Sequence, residues 1–292
     1  MAGPKFPPQG PARPSRAGRA SRQMAVHGHL PEPKRRFGQN FLHDPQVIAR
    51  ILRAIHPQPG DALVEIGPGL GALTVPLLEK LAADGGTLRV IEIDRDVIPH
   101  LLEAAGHSPA LHITQADALS VDYRQLATPG RRLRLVGNLP YNISTPILFH
   151  LLEQADAIAD MHFMLQKEVV ERMCAGPGED DYGRLSVALA ARCEVAHLFN
   201  VGPGAFRPPP KVDSAIVRLK PRTPDYAIDD MAMFDRVVML AFAQRRKTLS
   251  NALKSLADAQ TIRAAGLDPG LRAERLHARD FAALANLLHG GR

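Results

Sequence analysis

From residue 44 onward, apolar positions recur with two alternating periods. Val47, Ile48, Ile51, Leu52 and Ile55 fall on one stripe of a helix, with Asp44 placed to cap it and Pro45 suited to its first turn. His56-Pro57 ends that helix. Short apolar runs predict strands over 62–66, 87–93, 111–115, 133–136 and 161–165, and amphipathic stretches predict helices over 72–82, 96–104 and 144–153. Further helices are expected around Val169 and Val170 and over 185–191. Alternation of this kind implies an α/β fold with a parallel, doubly wound sheet. Runs over 195–201 and 215–219, separated by Pro208-Pro209-Pro210, read as a closing strand pair. Beyond Pro221 no strand signal remains, and Phe234, Val237, Val238 and Phe242 introduce short amphipathic helices over 230–289. The expected organisation is a tail (1–34), a doubly wound α/β domain (35–221) and a smaller all-helical domain (222–292).

Composition narrows the class. Of 292 residues, 45% are hydrophobic and 23% charged, which excludes a mostly disordered chain. No apolar run approaches the ~20 residues that cross a bilayer, so the expected location is the cytoplasm, with no membrane partner. Cys174 and Cys193 form no C-x-x-C pair, and the histidines are scattered, so neither a disulfide scaffold nor a metal site is expected. The net charge of +6 is unevenly spread: residues 1–36 carry +7, residues 37–205 carry −7 and residues 206–292 carry +6. A polyanionic partner would therefore approach the C-terminal part and the tail. Residues 1–34 are rich in Pro, Gly, Arg, Ser and Ala and are expected to be disordered. Their composition resembles a transit peptide, but Pro4, Pro7, Pro8, Pro11 and Pro14 interrupt any amphipathic helix. The expectation is a solvated tail, or a true start at Met24.

Three motifs carry candidate chemistry. Glu65-Ile66-Gly67-Pro68-Gly69-Leu70-Gly71 joins the first long strand to a helix. Its glycines let a ligand approach the backbone and the helix start favours negative charge. The spacing is not the G-x-G-x-x-G of dinucleotide sites; it resembles the S-adenosylmethionine loop of Rossmann-like methyltransferases, and by itself also fits a tight turn. Glu92, ending the next strand, follows Gly71 by 21 residues, near the ~20 expected of a carboxylate on ribose hydroxyls. Asp117 ends the third strand and is placed for an adenine amino group. The third motif is Asn138-Leu139-Pro140-Tyr141, at the end of the fourth strand. An N-x-P-aromatic turn resembles the site of amino-group methyltransferases. An exocyclic amine is a weak nucleophile because its lone pair is delocalised into the base. The Asn138 side-chain oxygen and the Pro140 carbonyl can accept its two protons and aim the lone pair, with Tyr141 stacked on the extruded base. No strong base or metal need be invoked.

From Phe37 onward the chain resembles the ribosomal RNA small-subunit adenine dimethyltransferase family (KsgA/RsmA). The matching segments are 37–42, 65–71, 138–144, 165–169, 206–214 and 242–247. The resemblance implies a Rossmann-like methyltransferase domain using S-adenosylmethionine. It implies dimethylation at N6 of two adjacent adenosines near the 3′ end of small-subunit rRNA, by a monomer acting on the subunit or its precursor. It places Gln39, Asn40, Leu42, Gly67, Gly69, Glu92, Asp117 and Asn138 around the donor, and Phe206 across the adenine from Tyr141. It also favours phosphate contact for Arg245-Arg246-Lys247, read as opening a helix, with Arg207 and Lys211 as further RNA contacts. The alternatives are a large-subunit rRNA adenine methyltransferase of the macrolide-resistance type, or a ribosome-assembly or transcription factor derived from the family.

Overall fold

Asp44 starts the first helix as its sequence requires, its carboxylate accepting from the backbone N–H of Gln46 at 2.8 Å and Val47 at 3.1 Å. Helix α1 (Pro45–Ile55) buries Ile51, Leu52 and Ile55 and ends at His56, whose φ of 48° is left-handed. These features come from a computed structural model, which describes residues 39–82, 85–128 and 130–291, all within one compact unit. The tail and Phe37-Gly38 lie outside the described residues.

A strand β1 (Phe41–Leu42) precedes α1. The alternating body follows as β2 (Ala62–Ile66), α2 (Thr74–Ala82), β3 (Leu88–Glu92), α3 (Ile98–Ala104), β4 (Leu111–Gln115), β5 (Leu133–Asn138), α4 (Ser144–Leu152) and β6 (Ile158–Gln166). Then come α5 (Lys167–Cys174), α6 (Arg184–Ala190), β7 (Cys193–Val201), β8 (Phe206–Arg207) and β9 (Ser214–Pro221). The main sheet runs β4-β3-β2-β5-β6-β9-β7. Its strands β4 to β6 are parallel, while β9 lies antiparallel to both β6 and β7 and forms the expected closing pair. The chain winds outward from β2 to β4 and returns beside β2 with β5, so the crevice between β2 and β5 is the switch point where ligands bind in such sheets.

Residues alternate between two cores. Val64, Ile66, Leu133, Leu135, Met161 and Phe163 face one, and Leu63, Val136 and Met164 face the other with α1 and α2. A third core joins α7 (Met231–Phe242), α8 (Leu249–Ala252), α9 (Ala259–Ala264) and α10 (Ala278–Gly290). Tyr182, Val187 and Ala191 reach into it from around α6, so the helical segment is built onto the sheet body.

Among the elements whose bounds depart from the sequence pattern, two do so for evident local reasons. Helix α3 begins at Ile98 rather than 96 because Asp94 Oδ1 accepts from Asp96 N at 3.1 Å, which keeps that stretch a turn. Strand β5 runs two residues past the predicted 136, and Gly137 makes this possible: a Cβ there would stand 2.4 Å from the Ile66 carbonyl oxygen on β2. Gly137→Ala should therefore force β2 and β5 apart and lower unfolding free energy by about 1–3 kcal/mol. A denaturant midpoint unchanged from wild type would refute that close packing.

Candidate active site at the carboxyl ends of the strands

The switch-point crevice opens into a cavity of about 310 Å³ walled by the ends of β2, β3 and β5, the segment after β4, and residues 39–42 crossing above them. Gln39, Asn40, Leu42, Gly67, Glu92, Asp117, Asn138, Pro140 and Tyr141, all anticipated from sequence, line it. Gly69 stands just behind the wall with φ 53°, and a Cβ there would meet the Phe41 ring at 3.2 Å. Glycine thus lets the crossing segment lie close over the loop.

The crossing segment is fastened at three points. Gln39 Nε2 donates to Asp94 Oδ2 at 2.9 Å, Asn138 Nδ2 donates to the Asn40 carbonyl at 3.0 Å, and Leu42 pairs with Phe206 across the small β1–β8 ribbon. The second bond settles which way the Asn138 amide faces: its nitrogen turns to Asn40 and its oxygen is left as an acceptor on the other side.

Three carboxylates set the electrostatics. Glu92 accepts from Asp94 N at 2.8 Å and Gly69 N at 3.4 Å, which fixes it while leaving lone pairs for further donors. Burial pushes its carboxyl above the usual range. Asp117 Oδ1 accepts from Leu119 N at 2.9 Å. Glu65 is 2% exposed and accepts from Thr74 Oγ1 at 2.7 Å. Its carboxyl is pushed up to about 7, mainly by burial, with the nearby Glu92 charge adding to it and the Thr74 bond opposing it. Beside Glu92, Ile93 is 46% exposed at the cavity rim, an apolar surface that a flat ring would cover. These acceptors suit a ligand carrying hydroxyls, an aromatic amine and positive charge, as S-adenosylmethionine does.

Three expectations need correction. The Pro140 carbonyl is not turned to the cavity for an amine: it accepts from Ile143 N at 3.2 Å and Ser144 Oγ at 3.1 Å, which uses both lone pairs to open α4. The Leu139 carbonyl, one residue earlier on the same wall, is given no such pair of donors among the described residues. Phe206 is 2% exposed, packed in the core with Leu42 and Ile216, and does not line the cavity opposite Tyr141. Arg245-Arg246-Lys247 does not open a helix but forms the turn between α7 and α8, where the Arg245 guanidinium donates to the Asp180 carbonyl at 2.7 Å. Arg207 and Lys211 are exposed and stand outside the cavity. Ser214, at the end of segment 206–214, lies with its Oγ 2.9 Å from the Tyr141 hydroxyl, a contact that no sequence motif signals.

Known proteins match this arrangement along most of the chain. The family model described as "Ribosomal RNA adenine dimethylase" matches residues 32–289. A Pseudomonas aeruginosa protein named ribosomal RNA small subunit methyltransferase A is 57% identical over 256 residues, covering 87% of this chain and 94% of its own. A Xanthomonas axonopodis protein of the same name is 58% identical over 255 residues, covering 87% and 95%. Among solved structures, a dimethyladenosine transferase from Plasmodium falciparum is similar with a TM-score of 0.67 at 26% identity, over 84% of this chain and 95% of that one. The 23S rRNA methyltransferase ErmE is similar with a TM-score of 0.64 at 27% identity, over 86% of this chain and all of its own. With the α/β fold, the cavity at its switch point and these matches in agreement, the chain belongs to the ribosomal RNA adenine dimethylase family.

Proposed function

We propose that the protein transfers methyl groups from S-adenosylmethionine to N6 of adenosine in small-subunit rRNA, converting two adjacent adenosines near the 3′ end to their dimethylated forms. The observation that carries this reading is the Asn138 amide, held by the Asn40 carbonyl at the mouth of the cavity so that its oxygen is the acceptor. When bound, the donor supplies an electrophilic methyl carbon on a sulfonium. Asn138 Oδ1 and the Leu139 carbonyl accept one hydrogen bond each from the N6 amine, which localises the lone pair that would otherwise spread into the ring. Tyr141 stacks on the base. Glu92 accepts from the donor's ribose hydroxyls and Asp117 from its adenine amino group, while Gln39, Asn40, Leu42, Gly67 and Gly69 shape the wall around the rest.

Preference for the small subunit over the large one rests on likeness: relatives named for the small subunit are 57–58% identical, against 27% for the 23S enzyme. Residues 222–292 serve as the RNA-binding domain, with Arg246 and Lys247 on phosphates and Arg207 and Lys211 adding contacts from the preceding body, while Arg245 chiefly tethers the loop at Asp180. The protein acts in the cytoplasm as a monomer. No helix among the described residues is long and apolar enough to cross a membrane. Mass spectrometry of adenosines after incubation with donor and unmethylated subunits tests the reading. Dimethyladenosine in small-subunit rRNA is expected, and modification of large subunits alone would overturn it.

Three variants test the parts. Glu92→Ala should weaken donor binding at least tenfold by calorimetry, because charge-assisted bonds of about 1.5–3 kcal/mol each are lost; undiminished affinity would remove Glu92 from the donor site. Asn138→Ala should cut turnover by about a hundredfold or more while RNA still binds, since the lost interaction belongs to the transition state. Near-normal turnover there would contradict the amine-orienting role. Replacing Arg246 and Lys247 with Glu should leave donor affinity intact and make the slope of log RNA affinity against log salt shallower by roughly 1.5, at ~0.7–0.9 per phosphate contact. An unchanged slope would assign those side chains to a solvated turn.

A further inference from the structure

Ser214 opens β9 and is 1% exposed, paired in register with Gln166 on β6 and Val201 on β7. It is therefore held from both sides by the sheet. Its Oγ sits 2.9 Å from the hydroxyl of Tyr141, and the Tyr141 ring lines the cavity beside Asn138. A phenol ring fixed at its Cα by the Pro140 turn and at its far end by a hydrogen bond keeps one long axis, because any change of χ1 must first break that bond. The tilt of the ring axis is thus set by β9 as well as by its own loop.

We propose that Ser214 is a positioning residue which, by holding the Tyr141 ring, keeps the adenine seated for the second methyl transfer. This rests on the function proposed above. In the first transfer an N6–C bond forms from the nitrogen lone pair while the donor's C–S bond breaks, leaving its electron pair on sulfur, and one N6 proton goes to water. The second transfer repeats this with a second donor molecule. The unmodified amine has two protons, one each for Asn138 Oδ1 and the Leu139 carbonyl. The monomethylated amine has one. One acceptor then has no donor, and a larger share of the base's orientation falls on the stacked ring. A ring free to pivot costs the second step more than the first.

The experiment uses the full chain with unmethylated small ribosomal subunits and S-adenosylmethionine, following monomethyl- and dimethyladenosine over time by mass spectrometry. Ser214→Ala, Tyr141→Phe and the double variant are compared with wild type, with donor affinity read by calorimetry. Each single variant should slow the second transfer about tenfold, the effect of one neutral hydrogen bond, and slow the first by less than threefold, so that monomethyladenosine accumulates. The double variant should be no slower than either single one, because both remove the same bond, and donor affinity should stay within twofold. Ser214→Ala forming dimethyladenosine at the wild-type rate, or losses that multiply in the double variant, would overturn the proposal while leaving the function in place. A wild-type protein that makes no dimethyladenosine would instead fail the functional reading and this inference with it. Should Ser214→Ala not fold, Tyr141→Phe decides, since it removes one oxygen and keeps the ring: wild-type dimethylation by that variant overturns the proposal.

Discussion

The hydrogen bond from the Asn138 amide to the Asn40 carbonyl joins the two halves of the cavity. On one side it fixes the amide at the end of β5, on the other it holds the crossing segment 39–42 down over the glycine loop. The same segment carries Gln39 to Asp94 and lays Phe41 against Gly69. The wall of the cavity and the Asn138 amide are therefore one mechanical unit. A shift of the segment reaches Asn138 directly, without passing through the sheet.

Charge is arranged to suit two ligands of opposite sign. Burial raises the carboxyls of both Glu65 and Glu92, with the Glu92 charge adding to the first and the Asp94 charge to the second, an arrangement that disfavours ionisation until a cation is nearby. A sulfonium donor supplies that positive charge. The basic excess lies elsewhere, in residues 206–292, where it can meet phosphates without competing for the acids of the cavity. The net −7 of residues 37–205 is in part the composition of the cavity itself.

Much of this was legible in the residues. Strands ending within two residues of Glu92 and Asn138 follow from local periodicity and turn chemistry, and those ends meet because a doubly wound sheet collects them at one edge. What escaped depends on partners far away in sequence. The Pro140 carbonyl looked available because a proline turn faces it inward, but Ser144 on the following helix claims it. Phe206 looked like a stacking ring, yet its pairing with Leu42 draws it into the core. The Ser214 contact needs the β9 register, and the Arg245 tether needs the Asp180 carbonyl, neither of which any local spacing encodes.

The β1–β8 ribbon joins Phe41 to Arg207 and Leu42 to Phe206, residues more than 160 positions apart. Synthesis runs from the N-terminus, so the segment that roofs the cavity is made before any of the walls beneath it, and its strand partner is made after all of them. A nascent chain that has already produced Gly67, Glu92, Asp117 and Asn138 still has no ribbon to hold its roof. The ribbon that fastens this roof can therefore form only once Phe206 and Arg207 have left the exit tunnel, and products of translation interrupted before them lack it.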